Sequence, residues 1–176
     1  GLPRLQALAE ECDGLHIGLR FTGSQKSLRA LNDGRCRVAG FHVAQNAQSA
    51  SVMAKALRPL LQPGTHKLIG SHWRRQGWIW RMGETRPDSI SALRSGKWRF
   101  VSRQPSSGTR LLTDHLLAQS EVSPEHVPGY NTHMEDTHVA VASSIASGAG
   151  DIGIGIEAAA MEAGLAFSPL VDENYY

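Results

Sequence analysis

Apolar residues recur at helical spacing in the opening stretch, at Leu5, Leu8, Ala9 and Cys12, and the run stops at Asp13-Gly14. Alternation takes over at His16 to Phe21, where Ile17, Leu19 and Phe21 share a side, and this predicts a strand. A helix follows, with Ser24 at its N-cap position, Leu28 and Leu31 in one stripe, and Asn32-Asp33-Gly34 as its end. Cys36 to Val43 predicts a short buried strand. Ser49 to Leu61 predicts a helix that faces inward through Val52, Met53, Ala56, Leu57 and Leu60 and is closed by Pro63-Gly64.

Beyond residue 64 the texture changes. Two strand-like pieces, His66 to His72 and Gly77 to Trp80, bring Trp73, Trp78 and Trp80 close in sequence, and inter-lobe or core packing is the expected role of these rings. A short helix at Ser89 to Leu93 leads through Gly96 to a strand at Trp98 to Ser102. Helices are expected at Ser107 to Gln119, through Leu112 and Leu116, and at Asp136 to Ser147, through Val141, Ala142 and Ile145. A strand at Asp151 to Ile156, a helix at Glu157 to Ala163 and a strand at Phe167 to Val171 complete the order. Repeated strand, helix and strand units predict an α/β fold with a mainly parallel sheet, because parallel neighbours need a helix-length connection. Breaks near residues 64 and 165 divide the chain into one lobe of residues 1–64 with a return segment at 165–176, and a second lobe of residues 65–164.

Composition narrows the function classes. The 176 residues hold 18 Lys and Arg against 16 Asp and Glu, a formal charge of +2 that is too small to argue by itself for a polyanion-binding surface. No apolar run reaches the roughly 18 residues of a membrane span, and no export signal opens the chain. The start at Gly1 without Met and the stop at Tyr176 lead us to expect an excised domain whose targeting segment or fused neighbour lies elsewhere. Cys12 and Cys36 are read as inert buried thiols, with a pairing left open.

Chemistry concentrates at three strand-to-helix turns: Phe21-Thr22-Gly23-Ser24, the long turn Ser102 to Arg110, and Met134-Glu135-Asp136-Thr137-His138. A helix start presents unpaired N–H groups and a partial positive charge, glycine allows close backbone approach, and hydroxyls add donors. In an open α/β sheet such turns converge on one crevice. The plain alternative is that each Ser or Thr only caps its helix. The long turn exceeds that role, because Arg103 and Arg110 flank Ser106, Ser107 and Thr109, and a guanidinium at a buried strand end needs an acidic partner or an anionic ligand.

Other motifs carry less. Gly153-Ile154-Gly155-Ile156-Glu157-Ala158 fits G-x-G-x-x-A, but the short remainder leaves no room for a dinucleotide half-domain, so close packing of the glycines is expected. The eight histidines lack metal-ligand spacing, with His133 and His138 on opposite sides of a helix start, so no metal is expected. No G-x-S-x-G elbow supports Ser106 or Ser107 as a nucleophile.

The segments Phe21-Thr22-Gly23-Ser24-Gln25-Lys26-Ser27-Leu28, Arg99 to Arg110, and Asp151-Ile152-Gly153-Ile154-Gly155 resemble the type II periplasmic-binding-protein superfamily. The chain is most similar to the substrate-binding-like domain often fused to bacterial helix-turn-helix regulators, related to tungstate- and molybdate-binding proteins. The resemblance implies a two-lobed clamp with a cleft between the lobes. It offers Ser24 from the first lobe and Arg103, Ser107 and Thr109 from the second as ligand donors; Ser106, Thr137 and His138 complete the candidate set. The family's first strand and binding turn, and the rest of the return segment, are expected to lie outside the sequence.

The expected function is a non-enzymatic sensor for a small oxyanion, with molybdate or tungstate implied by the resemblance, acting by hinge closure and passing the change to a fused DNA-binding segment. A site made only of donors suits a fully deprotonated dianion. No cofactor, direct nucleic acid contact or membrane insertion is expected, and the compartment is the cytoplasm. The alternatives are a periplasmic solute-binding component of an ABC importer, an enzyme acting on a small organic acid, and a protein-interaction domain with a vestigial cleft.

Overall fold

The computed structural model describes the backbone of residues 2–45 and 47–176 and the side chains of residues 4–45 and 50–176. The chain order is α1 (Leu2–Asp13), α2 (Ser24–Asn32), β1 (His42–Ala44), α3 (Ala47–Leu57), β2 (His72–Trp80), β3 (Phe100–Arg103), α4 (Gly108–Gln119), β4 (Met134–Glu135), α5 (His138–Ala146), β5 (Ile152–Ile156), α6 (Glu157–Glu162) and β6 (Ala166–Tyr175). Short 3-10 segments at Arg58–Leu60, Ile90–Ser95 and Pro124–His126 lie between them. The fold is α/β.

The six strands form one curled sheet in the order β1-β6-β2-β5-β3-β4. Pairing corrects the expectation of a mainly parallel sheet: β1–β6, β6–β2 and β2–β5 are antiparallel, whereas β5–β3 and β3–β4 are parallel. The crossover argument governs strands joined directly through a helix. It does not govern β2 and β6, which are distant in sequence yet lie side by side in the sheet. One end of β2, His72 to Gln76, pairs with Val171 to Tyr175 of β6, whose last residues also pair with β1. Its other end, Gln76 to Trp80, pairs with β5, and the register against β6 shifts between Gln76 and Gly77.

Alternation along these strands supplies two cores. Trp78, Phe100, Ile152 and Ile154 meet Leu117 and Tyr130 on one face, while Ile79 and Val101 meet Val141, Ile145 and Ala159 on the other. Smaller clusters join Ala44, Met53, Leu112 and Val171, and Leu28, Phe41 and Leu57. Core packing holds for two of the three tryptophans: Trp78 is buried and Trp80 lies beside the core, whereas Trp73, on the opposite strand face, is exposed.

Several sequence expectations fail for one reason, the absence of a neighbour. His16 to Phe21 forms no strand, because no strand among the described residues pairs with it, and Phe21 is exposed. Of Cys36 to Val43 only the last two residues join β1, which ends at Ala44 with the end of its partner's register. His66 to His72 contributes only His72 to a strand, and Leu68 and Ile69 are exposed. The α1 stripe forms as a helix, yet Leu5 and Leu8 are exposed. Both cysteines are free, Cys12 being exposed rather than buried.

Arg110 is a structural latch. Its Nε donates to Asp114 Oδ1, Nη1 to Ser102 Oγ and the Tyr130 carbonyl, and Nη2 to Asn131 Oδ1, while the guanidinium lies 4.0 Å from the Tyr130 ring centroid. Removing a buried, multiply bonded charge strands its partners. Arg110→Met is expected to cost about 2–4 kcal/mol in urea unfolding, and a loss below about 0.5 kcal/mol would contradict the latch.

Candidate functional site

Two of the three turns touch. A Cβ placed on Gly23 would stand 2.1 Å from the Ser106 carbonyl oxygen, so only glycine permits this approach. One placed on Gly108 would lie 3.6 Å from Ser24 Oγ. The start of α2 and the start of α4 therefore face each other across backbone contact. Between them is a cavity of about 10 Å³ lined by Ser24, His42, Ser106, Ser107 and Gly108, with Met53, Leu57 and Leu111 beneath. That is room for about one water molecule. A more open groove of about 260 Å³, lined by Gln45 and residues 169–172, has no cation in its lining.

Arg103 ties the second turn to the third. It is buried, its Nε donates to the Glu135 carbonyl at 3.2 Å, and its Nη2 donates to the Asp136 carbonyl at 2.8 Å. Among the described residues it forms no ion pair. Burial, and then the like charge of Arg74, pull its pKa down to about 10, against a small opposing effect of Asp136.

The hydroxyls divide by duty. Ser107 caps α4, its Oγ accepting from the Arg110 N–H at 3.0 Å, and Thr137 caps α5, its Oγ1 accepting from the Ala140 N–H at 3.0 Å. Thr109 is buried in the first turn of α4, and its carbonyl accepts from Thr113 Oγ1. Ser106 Oγ is buried with no partner among the described residues. Ser24 is the first residue of α2 and not its cap: Gly23 takes that position, and Ser24 Oγ lies 3.4 Å from His42 Nδ1. Ser24 and Ser106 carry hydroxyls that cap no helix.

His138 stands at the start of α5, with Nδ1 enclosed and unpartnered among the described residues and close above Gly155. Burial, and then Arg74, Arg103 and His42, hold it well below the usual histidine range. His42 on β1 is pushed down to about 2 by burial, then by Arg74, His72 and Arg103. Both imidazoles are neutral beside two guanidinium groups. An anion bound here would offset that concentration of positive charge.

Sequence reasoning missed His42, Arg74, Gln76 and Glu173. Arg74, Arg75 and Gln76 interrupt the apolar rhythm of residues 72–80 and read as a loop between two strand pieces, whereas they continue β2. Arg74 Nε donates to the fully buried Glu173 Oε2 at 3.0 Å, beyond the point where the last strand was expected to end. A strand that stays polar in its middle was the available signal. The G-x-G-x-x-A segment behaves as expected, since a Cβ on Gly153 would lie 2.8 Å from the Val101 carbonyl oxygen.

The family model for the PBP superfamily domain matches residues 5–176. Uncharacterized protein YvgK of Bacillus subtilis (strain 168) is 31% identical over 159 residues, which are 89% of this chain and 50% of that protein. The chain thus spans about half the length of this relative. The fold is shared with PhnD1 of Prochlorococcus marinus in complex with methylphosphonate (TM-score 0.64, 13% identity, covering 99% of this chain and 68% of that one). It is shared equally with the Synechocystis CcmR regulatory domain in complex with 2-PG (TM-score 0.64, 17% identity, 99% and 79%). The QuiR effector binding domain in complex with shikimate follows (TM-score 0.60, 10% identity, 99% and 79%). The chain belongs to the PBP superfamily.

Proposed function

We propose that this chain is a non-enzymatic ligand-binding domain that closes on a small oxyanion at the meeting of the α2, α4 and α5 starts. The observation that carries the reading is Arg103, a buried guanidinium without a carboxylate partner among the described residues, in the same turn as Ser106, whose buried hydroxyl is unpartnered among them. The donors assigned are Ser24, Arg103, Ser106, Ser107 and Thr109, with Thr137 and His138 at the third turn. The caps on Ser107 and Thr137 leave their hydroxyl hydrogens free to donate while the oxygens accept.

In this reading β2 and β6 are the two segments crossing between the lobes, so the boundary runs through these strands, beside Gln76 and Val171, rather than at residues 64 and 165. The register shift beside Gln76 marks where the crossing bends. Entry needs the lobes to part, because the space between the touching turns is about 10 Å³. The ligand then selects the closed arrangement through its differential affinity. Regulatory and effector domains among the structural neighbours favour an intracellular sensing role, with passage of the signal to a DNA-binding segment. A solute-binding component of an importer is the second reading, favoured by PhnD1 and its methylphosphonate.

Calorimetry with molybdate, tungstate, sulfate and phosphate tests the site. At least one anion is expected to bind the wild type, and Arg103→Ala is expected to weaken it by about 10- to 100-fold, the usual loss of a charged hydrogen-bond donor. Equal binding by both proteins would remove Arg103 from the site.

A further inference from the structure

The sheet face beneath Arg74 holds acceptors as well as donors. Glu173 and Gln76 are fully buried at 0% exposure. Glu173 spends Oε2 on Arg74, but its Oε1 and both polar atoms of the Gln76 carboxamide have no partner among the described residues. Glu173 and Gln76 are diagonal neighbours in the sheet. Arg74 faces Glu173 across the strands, Gln76 lies two residues along β2 on the same face, and its partner Val171 lies two residues from Glu173. Glu173 is also opposite Ala44, two residues from His42 on the same face of β1.

This patch is joined to the anion site. His42 lines the cavity with Ser24 and Ser106, and the charge of Arg74 bears on Arg103, His42 and His138. A buried carboxylate oxygen and a buried carboxamide are costly without partners, and several together mark a place that something else completes. A bare tetrahedral dianion supplies no hydrogen for Glu173 and would be repelled by it. The donor-only character expected from the sequence does not describe this floor.

Resting on the anion-site reading above, we infer that the occupant is a small organic acid that also carries a hydroxyl or ammonium donor, its anionic group held by Arg103 and its donor received by Glu173 Oε1 and the Gln76 carboxamide. The donor's partners are oriented in advance: Arg74 fixes the carboxylate, and Gln76 is locked into the central strand.

The experiment compares matched probes on the wild-type chain: acetate with glycolate and glycine, and methylphosphonate with its hydroxymethyl and aminomethyl analogues, against sulfate and molybdate. At least one donor-bearing probe is expected to bind about tenfold or more tightly than its parent, and Glu173→Gln to bring that ratio close to one. Gln76→Leu, which keeps the carboxylate, is expected to shrink the ratio as well. The inference is overturned if sulfate or molybdate outbinds every donor-bearing probe, or if the ratio survives Glu173→Gln in a folded variant. Should that variant not fold, the wild-type ratio alone decides. Failure of the underlying site looks different: every probe, whether or not it carries a donor, then binds Arg103→Ala as it binds the wild type.

Discussion

Gly23→Val is expected to abolish anion binding while leaving the fold standing. The backbone raises no objection to a side chain here, since Gly23 has φ −72° and ψ 154°, an extended conformation open to any residue. Space alone forbids it. The first carbon added would meet the Ser106 carbonyl oxygen at 2.1 Å and its carbonyl carbon at 2.6 Å. Ordinary contact requires about 3.5 Å, so the two turns must part by more than roughly 1 Å. The parting moves Ser24 away from Ser106 and Gly108, which divides a donor set that works only when assembled. The core is spared, because Gly23 contributes to none of the clusters around Trp78, Ile79, Ala44 or Leu28. Calorimetry should show no binding at millimolar anion, a larger loss than that of Arg103→Ala, with a thermal melt close to that of the wild type. Gly108→Ala is the milder comparison, since its Cβ would lie at an ordinary 3.6 Å from Ser24 Oγ. Full binding by Gly23→Val would show that contact between these turns plays no part in holding a ligand.

That glycine also shows what the chain makes legible. The turns that hold Gly23, Ser106 and Gly108 could be read as a candidate site because glycine and hydroxyls at helix starts mean the same thing locally in any α/β protein. Helices with an apolar stripe, such as α3 and α4, were equally readable, because their period is a local property. Strand pairing is not local. His16 to Phe21 alternates correctly and forms no strand for lack of a partner, whereas Arg74-Arg75-Gln76 breaks the pattern and lies inside β2 because β6 pairs with all three and β5 joins at Gln76. The unread half of the proposed site follows from the same cause. Glu173 meets Arg74 only when β6 brings it opposite β2, a contact between residues 99 apart in sequence. Arg110 and Arg103 looked alike in one turn. The fold separates them by giving Arg110 an acid, an amide and a ring, and giving Arg103 only carbonyls.

Stability of the unliganded protein is expected to fall steeply as pH drops from about 7 to 5, a window set by His42 and His138. Both folded-state pKa values lie below the ordinary 6.5, that of His42 at about 2 and that of His138 well below 6.5. The unfolded chain therefore takes up protons first. Stability is fully present above 6.5 and is lost as pH falls through that value toward the folded pKa values. Each histidine adds up to about 1.4 kcal/mol per pH unit, so the pair approaches about 2.7 kcal/mol per unit. Asp151, held low chiefly by its bonds to Arg99, acts in the same direction but below its ordinary 3.8, outside this window. Urea unfolding at pH 7.5, 6 and 5 reads the slope directly, and His42→Gln should remove about half of it. A flat profile in the wild type would mean that neither ring is held neutral. Ligand reverses the effect: an anion among Arg74, Arg103 and the two imidazoles favours their protonated forms, and by linkage protons must then favour the anion. Because the free-state values lie so low, anion affinity is expected to be flat from pH 8 to 6 and to rise below about pH 6, where proton uptake becomes visible as a binding enthalpy that changes with the ionisation enthalpy of the buffer.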